Sequence, residues 1–239
     1  MLDFGFYNMD CMAGMKEFPD KYFDLAIVDP PYGGGGKEYD AQAKRFGGWF
    51  ARYFDEQKQI KIKADRHGGQ WASKYGNNIC EWDVAPTEEY FEELFRISKN
   101  QIIWGGNYFA LPATRCFIVW RKSQIPERFT MSMCEYAWTS FNSNAKLFEC
   151  PSFGDKKDVR FHPTQKPVAL YRWILANYAK QGDKLLDTHV GSASSLIAFE
   201  ERGFDYVGFE IDADYYQKAQ KRLEENRAQI SMDFLRKLP

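Results

Sequence analysis

Phe23-Asp24-Leu25-Ala26-Ile27-Val28-Asp29-Pro30-Pro31-Tyr32 is the stretch from which the fold can be read. Its first six residues are apolar except Asp24, and the run is too short for a helix. A short continuous apolar run of this kind reads as a strand buried on both faces. Pro30 and Pro31 then stop it, because each fixes its backbone and lacks an N–H donor. The loop is rigid, and the Pro30 carbonyl is left to accept a hydrogen bond. Asp29 offers a second acceptor beside it, and Tyr32 offers a flat face. Two acceptors and a stacking wall are what an exocyclic amino group requires. The plainer reading is a proline-rich surface turn after a strand.

Three more runs end in the same way. Gln101-Ile102-Ile103-Trp104 precedes Gly105-Gly106-Asn107, Lys184-Leu185-Leu186 precedes Asp187, and Tyr206-Val207-Gly208-Phe209 precedes Glu210. Helical stretches fit between them. Thr87 can cap 88–98, and Pro167 can start a helix through Ala179. Ser192 to Arg202 reads as helical, and Asp212 can cap a long helix through about Arg227. Alternating strands and helices imply an α/β fold with a mostly parallel sheet. In such sheets ligands bind outside the carboxyl ends of the strands. Asp29, Asn107, Asp187 and Glu210 are therefore expected at one crevice. The segments 116–121 and 133–141 look like two further strands, the second antiparallel.

Residues 33–81 break the rhythm. They open on four glycines, hold no clean strand, and mix basic with aromatic residues. A structureless stretch this long is usually functional or mobile. Within a single domain spanning 1–239, the segment reads as an insert. Its cluster of Lys58, Lys61, Lys63 and Arg66 suits nucleic-acid phosphates. The plainer reading is a solvated excursion with a small satellite core.

Composition narrows the class. The chain has 239 residues, 44% hydrophobic and 27% charged, which excludes a disordered chain. Aromatic residues reach 17%, which favours a rigid core or a surface that stacks on flat ligands. The net charge of -1 gives no global basic signal, so any nucleic-acid site must be local. No apolar run is long enough to span a bilayer, and the N-terminus does not read as a signal peptide. Five cysteines without a C-x-x-C pair read as reduced cytoplasmic thiols, and three histidines lack ligand spacing. No metal and no membrane is expected.

Asp187-Thr188-His189-Val190-Gly191-Ser192-Ala193-Ser194-Ser195 is a second strand-to-helix turn. Glu210 follows about 20 residues on, as expected for an acid that binds ribose hydroxyls. The later glycines of a dinucleotide fingerprint are missing, so an adenosyl ligand without phosphates fits better than a diphosphate. His162-Pro163-Thr164-Gln165-Lys166-Pro167 leads into a helix, where a lysine suits a carboxylate. Taken alone, that segment reads as a capped helix start with an exposed lysine.

Together, D-P-P-Y, H-P-T-Q-K-P-V and the D-x-x-x-G-S turn resemble the amino-methyltransferases of DNA, specifically the permuted β class. In that class the catalytic D-P-P-Y precedes the cofactor-binding turn. The resemblance covers nearly the whole chain outside 33–81. The sequence departs from the family in having His189 where Phe is usual and Ala193 where Gly is usual.

The resemblance implies a Rossmann-like S-adenosylmethionine-dependent methyltransferase fold with one antiparallel strand and a circularly permuted motif order. It implies methyl transfer from S-adenosylmethionine to an amino group of a base in double-stranded DNA. Asp29, Pro30, Pro31 and Tyr32 become the catalytic segment. Asp10, Cys11, Asp29, His162, Thr164, Lys166, Asp187, Gly191, Ser192 and Glu210 become the cofactor site. Within it, Asp187 faces the methionine amine, Lys166 the methionine carboxylate, Glu210 the ribose and Asp10 the adenine. An Asp in the first D-P-P-Y position goes mostly with adenine N6, and Ser with cytosine N4. Methylation of cytosine N4, RNA or a protein amide, and a non-catalytic binding module, are the alternatives. A homodimer is left open.

Overall fold

The computed structural model describes residues 1–32, 84–125, 132–152 and 160–235, the side chains of 230–235 apart. The chain groups into two compact units, Met1–Pro30 with Thr87–Pro239, and Pro31–Pro86. Most of the second unit lies outside the described residues, and with it lie the proposed insert 33–81 and Lys58, Lys61, Lys63 and Arg66.

The first unit is built on one eight-stranded sheet. The strands are β1 (Gly5–Asn8), β2 (Phe23–Val28), β3 (Ser98–Trp104), β4 (Phe117–Lys122), β5 (Cys134–Thr139), β6 (Lys146–Cys150), β7 (Lys184–Asp187) and β8 (Asp205–Glu210). Their order across the sheet is β1-β8-β7-β2-β3-β5-β4-β6. Strand β5 runs antiparallel to both of its neighbours, and every other pairing is parallel.

Helices cover both faces. Along β2, Leu25 and Ile27 enter one core with Leu170, Ile174, Leu196 and Leu223. Ala26 and Val28 enter the other with Met15, Tyr90 and Leu94. The period-2 geometry of a strand sends successive side chains to opposite faces, so a strand covered twice must be apolar throughout. The first core packs on α3 (Val168–Tyr178), α4 (Ser194–Glu201) and α5 (Ala213–Leu235). The second packs on α1 (Cys11–Met15) and α2 (Glu88–Ile97).

The sequence expectations meet this frame with four differences. Strands β1 and β6 were not anticipated. Both are short edge strands with only partial burial, so neither shows a continuous apolar run. Helix α5 continues to Leu235, beyond the expected end near Arg227. Thr87 stands at the N-cap of α2, but its side chain makes no capping hydrogen bond. Asp212 does cap α5, accepting from the N–H groups of Asp214 and Tyr215 at 2.9 and 3.0 Å.

Candidate active site

Because β1, β8, β7, β2 and β3 run the same way, their carboxyl ends share one rim. Asp187 ends β7, Glu210 ends β8, Asp29 follows β2, and Asp10 follows β1. Asn107 sits on a 3-10 turn after β3, with its side chain exposed.

The turn after β7 is tied to β8. Glu210 Oε2 accepts the Gly191 N–H at 2.8 Å, and its Oε1 accepts the Asp212 N–H at 2.9 Å. Gly191 adopts φ +55, and a Cβ there would come within 3.2 Å of the His162 ring. Glycine is therefore favoured by the backbone conformation and by the closeness of the ring. His162 itself is buried, edges against the Tyr215 ring, and takes Thr164 Oγ1 at 3.1 Å on Nδ1. Burial lowers His162 to about 3, so it is a neutral wall. Ala193 adopts φ +61, a conformation that disfavours any residue with a Cβ.

Asp187 is only 2% exposed. Its Oδ2 accepts from Ser195 Oγ at 2.5 Å and its Oδ1 from the His189 N–H at 3.0 Å. Burial, with added repulsion from Asp29 and Glu210, raises its pKa to about 7. Burial also raises Glu210. Ser192, expected at the cofactor, places its hydroxyl against Ser194 at 3.1 Å, while the hydroxyl that reaches the acid belongs to Ser195.

On the β1 side, Asp10 caps α1 by accepting the Ala13 N–H at 3.0 Å. Burial pushes the neighbouring Cys11 thiol up to about 12, so it stays protonated. Tyr90 on α2 meets Thr188 at 2.6 Å, and Thr188 meets His189 Nδ1 at 2.9 Å. Burial lowers His189 to about 4, which makes it a neutral imidazole. Tyr90, Thr188 and His189 form a small hydroxyl–imidazole chain that sequence reasoning did not pick out.

Lys166 is not the exposed helix-start lysine that its segment suggests by itself. It is 4% exposed, and its Nζ contacts Asp29 Oδ2 at 2.5 Å and Glu135 Oε2 at 3.1 Å. The Trp104 ring lies 5.2 Å from the same nitrogen. Burial works to lower the Lys166 pKa, but the charges of Asp29 and Glu135 outweigh it and raise it. Glu135 and its second partner, Lys122, were absent from the sequence reading. Asp29 and Pro30 end the first unit, whereas Pro31 and Tyr32 begin the second.

Among the described residues, no group of three or more His, Cys, Asp or Glu is placed to hold a metal. No helix among them is long and apolar enough to cross a membrane.

A profile described as DNA methylase matches residues 23–221. Type II methyltransferase M.HpaI of Haemophilus parainfluenzae is 34% identical over 237 residues, covering 90% of this chain and 72% of that protein. DNA adenine methyltransferase YhdJ of Escherichia coli is 24% identical, covering 90% and 81%. Among solved structures, the cytosine-N4-specific PvuII DNA methyltransferase aligns with a TM-score of 0.55 at 10% identity, covering 96% and 93%. That last likeness concerns the fold alone. With that profile matching most of the chain and a relative 34% identical over nine-tenths of it, this chain belongs to the DNA methylase family, whose cofactor is S-adenosylmethionine.

Proposed function

We propose that the chain is a site-specific DNA methyltransferase acting on the N6 amino group of adenine in double-stranded DNA. The observation that carries the reading is Asp29, held by a buried lysine at the end of β2 on the same rim as Asp187 and Glu210. A base inside a duplex cannot reach such a rim, so the target nucleotide leaves the stack. The Asp29 carboxylate and the Pro30 carbonyl accept the two amino hydrogens. This turns the nitrogen lone pair toward the donor. Tyr32 is the stacking face in this reading. Catalysis by such a site is mainly positioning and fixed charge.

The rim fits the cofactor chemically. S-adenosylmethionine, when bound, supplies a methyl group on a sulfonium centre. Glu210 is assigned to the ribose hydroxyls, Asp187 to the amine and Asp10 to the adenine. The raised pKa of Asp187 supports this, because a buried acid short of counter-charge favours a cationic group beside it. Two of the three Lys166 protons go to Asp29 and Glu135, so a role at the methionine carboxylate falls to the third.

Adenine is favoured by the Asp in the first D-P-P-Y position and by the name of the YhdJ relative. The test is transfer of labelled methyl to plain duplex DNA, followed by nucleoside analysis. The expected product is N6-methyladenine. Label in N4-methylcytosine would refute the base, and label only in RNA or protein would refute the substrate class.

DNA contact is assigned to Lys58, Lys61, Lys63 and Arg66. Each phosphate contact contributes about 0.9 to the slope of log affinity against log salt. Neutralising all four should flatten that slope and leave cofactor binding unchanged. An unchanged slope moves the DNA site elsewhere.

A further inference from the structure

Four charges alternate along the β2–β5–β4 side of the rim. Lys122 ends β4, Glu135 is the second residue of β5, Lys166 precedes α3, and Asp29 follows β2. Lys122 Nζ lies 2.7 Å from Glu135 Oε1. Lys166 Nζ lies 3.1 Å from Glu135 Oε2 and 2.5 Å from Asp29 Oδ2. Each Glu135 oxygen is thus given to a different lysine, and Lys166 is held between two carboxylates. We propose that Glu135 is a positioning residue for methyl transfer: clamped by Lys122, it fixes the Lys166 ammonium against Asp29 and so aims the Asp29 carboxylate at the target amine. The proposal rests on the methyl-transfer reading above.

Two physical arguments support it. First, a buried ion row is a poor device for stability, because desolvating each ion costs several kcal/mol and apolar residues of similar volume do as well. Second, a lysine ammonium is a point charge on a flexible stem, so one partner does not define its direction. Asp29 alone leaves Lys166 free to swing about that contact. Glu135 on one side and the Trp104 ring at 5.2 Å remove that freedom. An error of about 1 Å in such a group costs roughly a hundredfold in rate.

The row is also neutral as a whole: two lysines and two carboxylates. Other titratable groups that interact with it are Tyr90, His162, Tyr171 and Asp187, and burial keeps Tyr90 protonated. Burial lowers His162 to about 3 and raises Tyr171 well above its ordinary value, so both are neutral at working pH. Asp187, at about 7, is the facing group that titrates nearest that range, whereas Lys166, raised by its two carboxylates, stays charged through it.

Three variants of the full chain test this. Glu135→Gln leaves one excess positive charge, Lys122→Met leaves one excess negative charge, and the double variant is neutral again. Lys166 deprotonation is followed by NMR of its side-chain nitrogen, alongside kcat and KM for DNA. Glu135→Gln should lower the Lys166 titration by about one unit or more. It should cut kcat by about 10–100-fold with KM for DNA little changed. Lys122→Met should not lower the titration, and the double variant should return it toward wild type. The opposed titration shifts follow from charge alone; a merely structural row would lower the unfolding midpoints and leave kcat of the folded variants near wild type. If Glu135→Gln does not fold, the double variant against Lys122→Met carries the same comparison. Wild-type kcat in Glu135→Gln, or a Lys166 titration indifferent to Glu135, overturns the proposal. A wild type inactive on every DNA overturns the function reading instead, and the Lys166 titration still decides whether Glu135 controls that lysine.

Discussion

On the β8–β7 side of the rim, Asp187 and Glu210 are held by backbone N–H groups and a serine hydroxyl. On the β2–β5 side, Asp29 and Glu135 are held by lysines. Burial presses on the acids of both sides in the same direction. Yet Asp187 and Glu210 end raised, while Glu135 ends lowered, because Lys166 and Lys122 outweigh its burial. Neighbouring charge, more than depth, decides the sign. One side of the rim is short of positive charge and suits a ligand that carries it. The other side brings its own cations and needs none from the ligand.

The largest effect expected from this contrast is at Asp29. Asp29→Ala should lower methyl transfer by about 10²–10³-fold, the usual loss when a group aimed at the reacting centre is removed. Cofactor affinity and folding should largely survive, since Lys166 keeps Glu135 as a partner. Near-normal turnover would remove Asp29 from the chemistry.

Glu210 tests the other side. Glu210→Ala should weaken S-adenosylmethionine binding by about 1–3 kcal/mol, the cost of unmade bonds to a charged group. It also strips the acceptor from the Gly191 and Asp212 N–H groups. Calorimetry with unchanged affinity would take Glu210 out of the cofactor site.

Asp187 gives a pH signature. Its folded pKa of about 7 lies above the ordinary 3.8, so the folded chain binds this proton more tightly than the unfolded chain. Its contribution to ligand-free stability is therefore full below about 3.8 and declines as pH rises through about 7. A cationic ligand prefers the ionised form, so affinity should rise about tenfold per unit below that pKa and level off above it. His162 and His189, at about 3 and 4, are neutral through most of that window. Asp187→Asn should abolish the slope, and a slope that persists in this variant would assign it to another group.

The smallest effect is expected at Gly191. Gly191→Ala places a Cβ in a left-handed conformation and against the His162 ring. The backbone term alone should cost about 1–2 kcal/mol. Thermal unfolding measures it, and an unchanged midpoint would mean that the turn relaxes.

Much of the fold was legible because it depends on short-range pattern. The runs ending at Val28, Trp104, Leu186 and Phe209 are largely apolar because helices cover them on both sides. The acids just beyond the parallel strands followed from chain direction. Edge strands β1 and β6 were missed because one exposed side weakens the apolar signal.

The sequence by itself determined the parallel frame, the proline turn that ends β2 at Asp29 and the acids at the ends of β7 and β8. Each is set within a few residues, by hydrophobic continuity, proline geometry and strand polarity. Only the tertiary structure decided the partners. Glu135 lies near the start of its strand, where a rule about carboxyl ends does not look. Because β5 runs antiparallel, that start reaches the same rim as the ends of β2 and β4. Lys166 likewise looks like a surface lysine until chain closure buries it between Asp29 and Glu135, 137 residues from the former. Pairing across such separations depends on which strands become neighbours, and no local pattern encodes that.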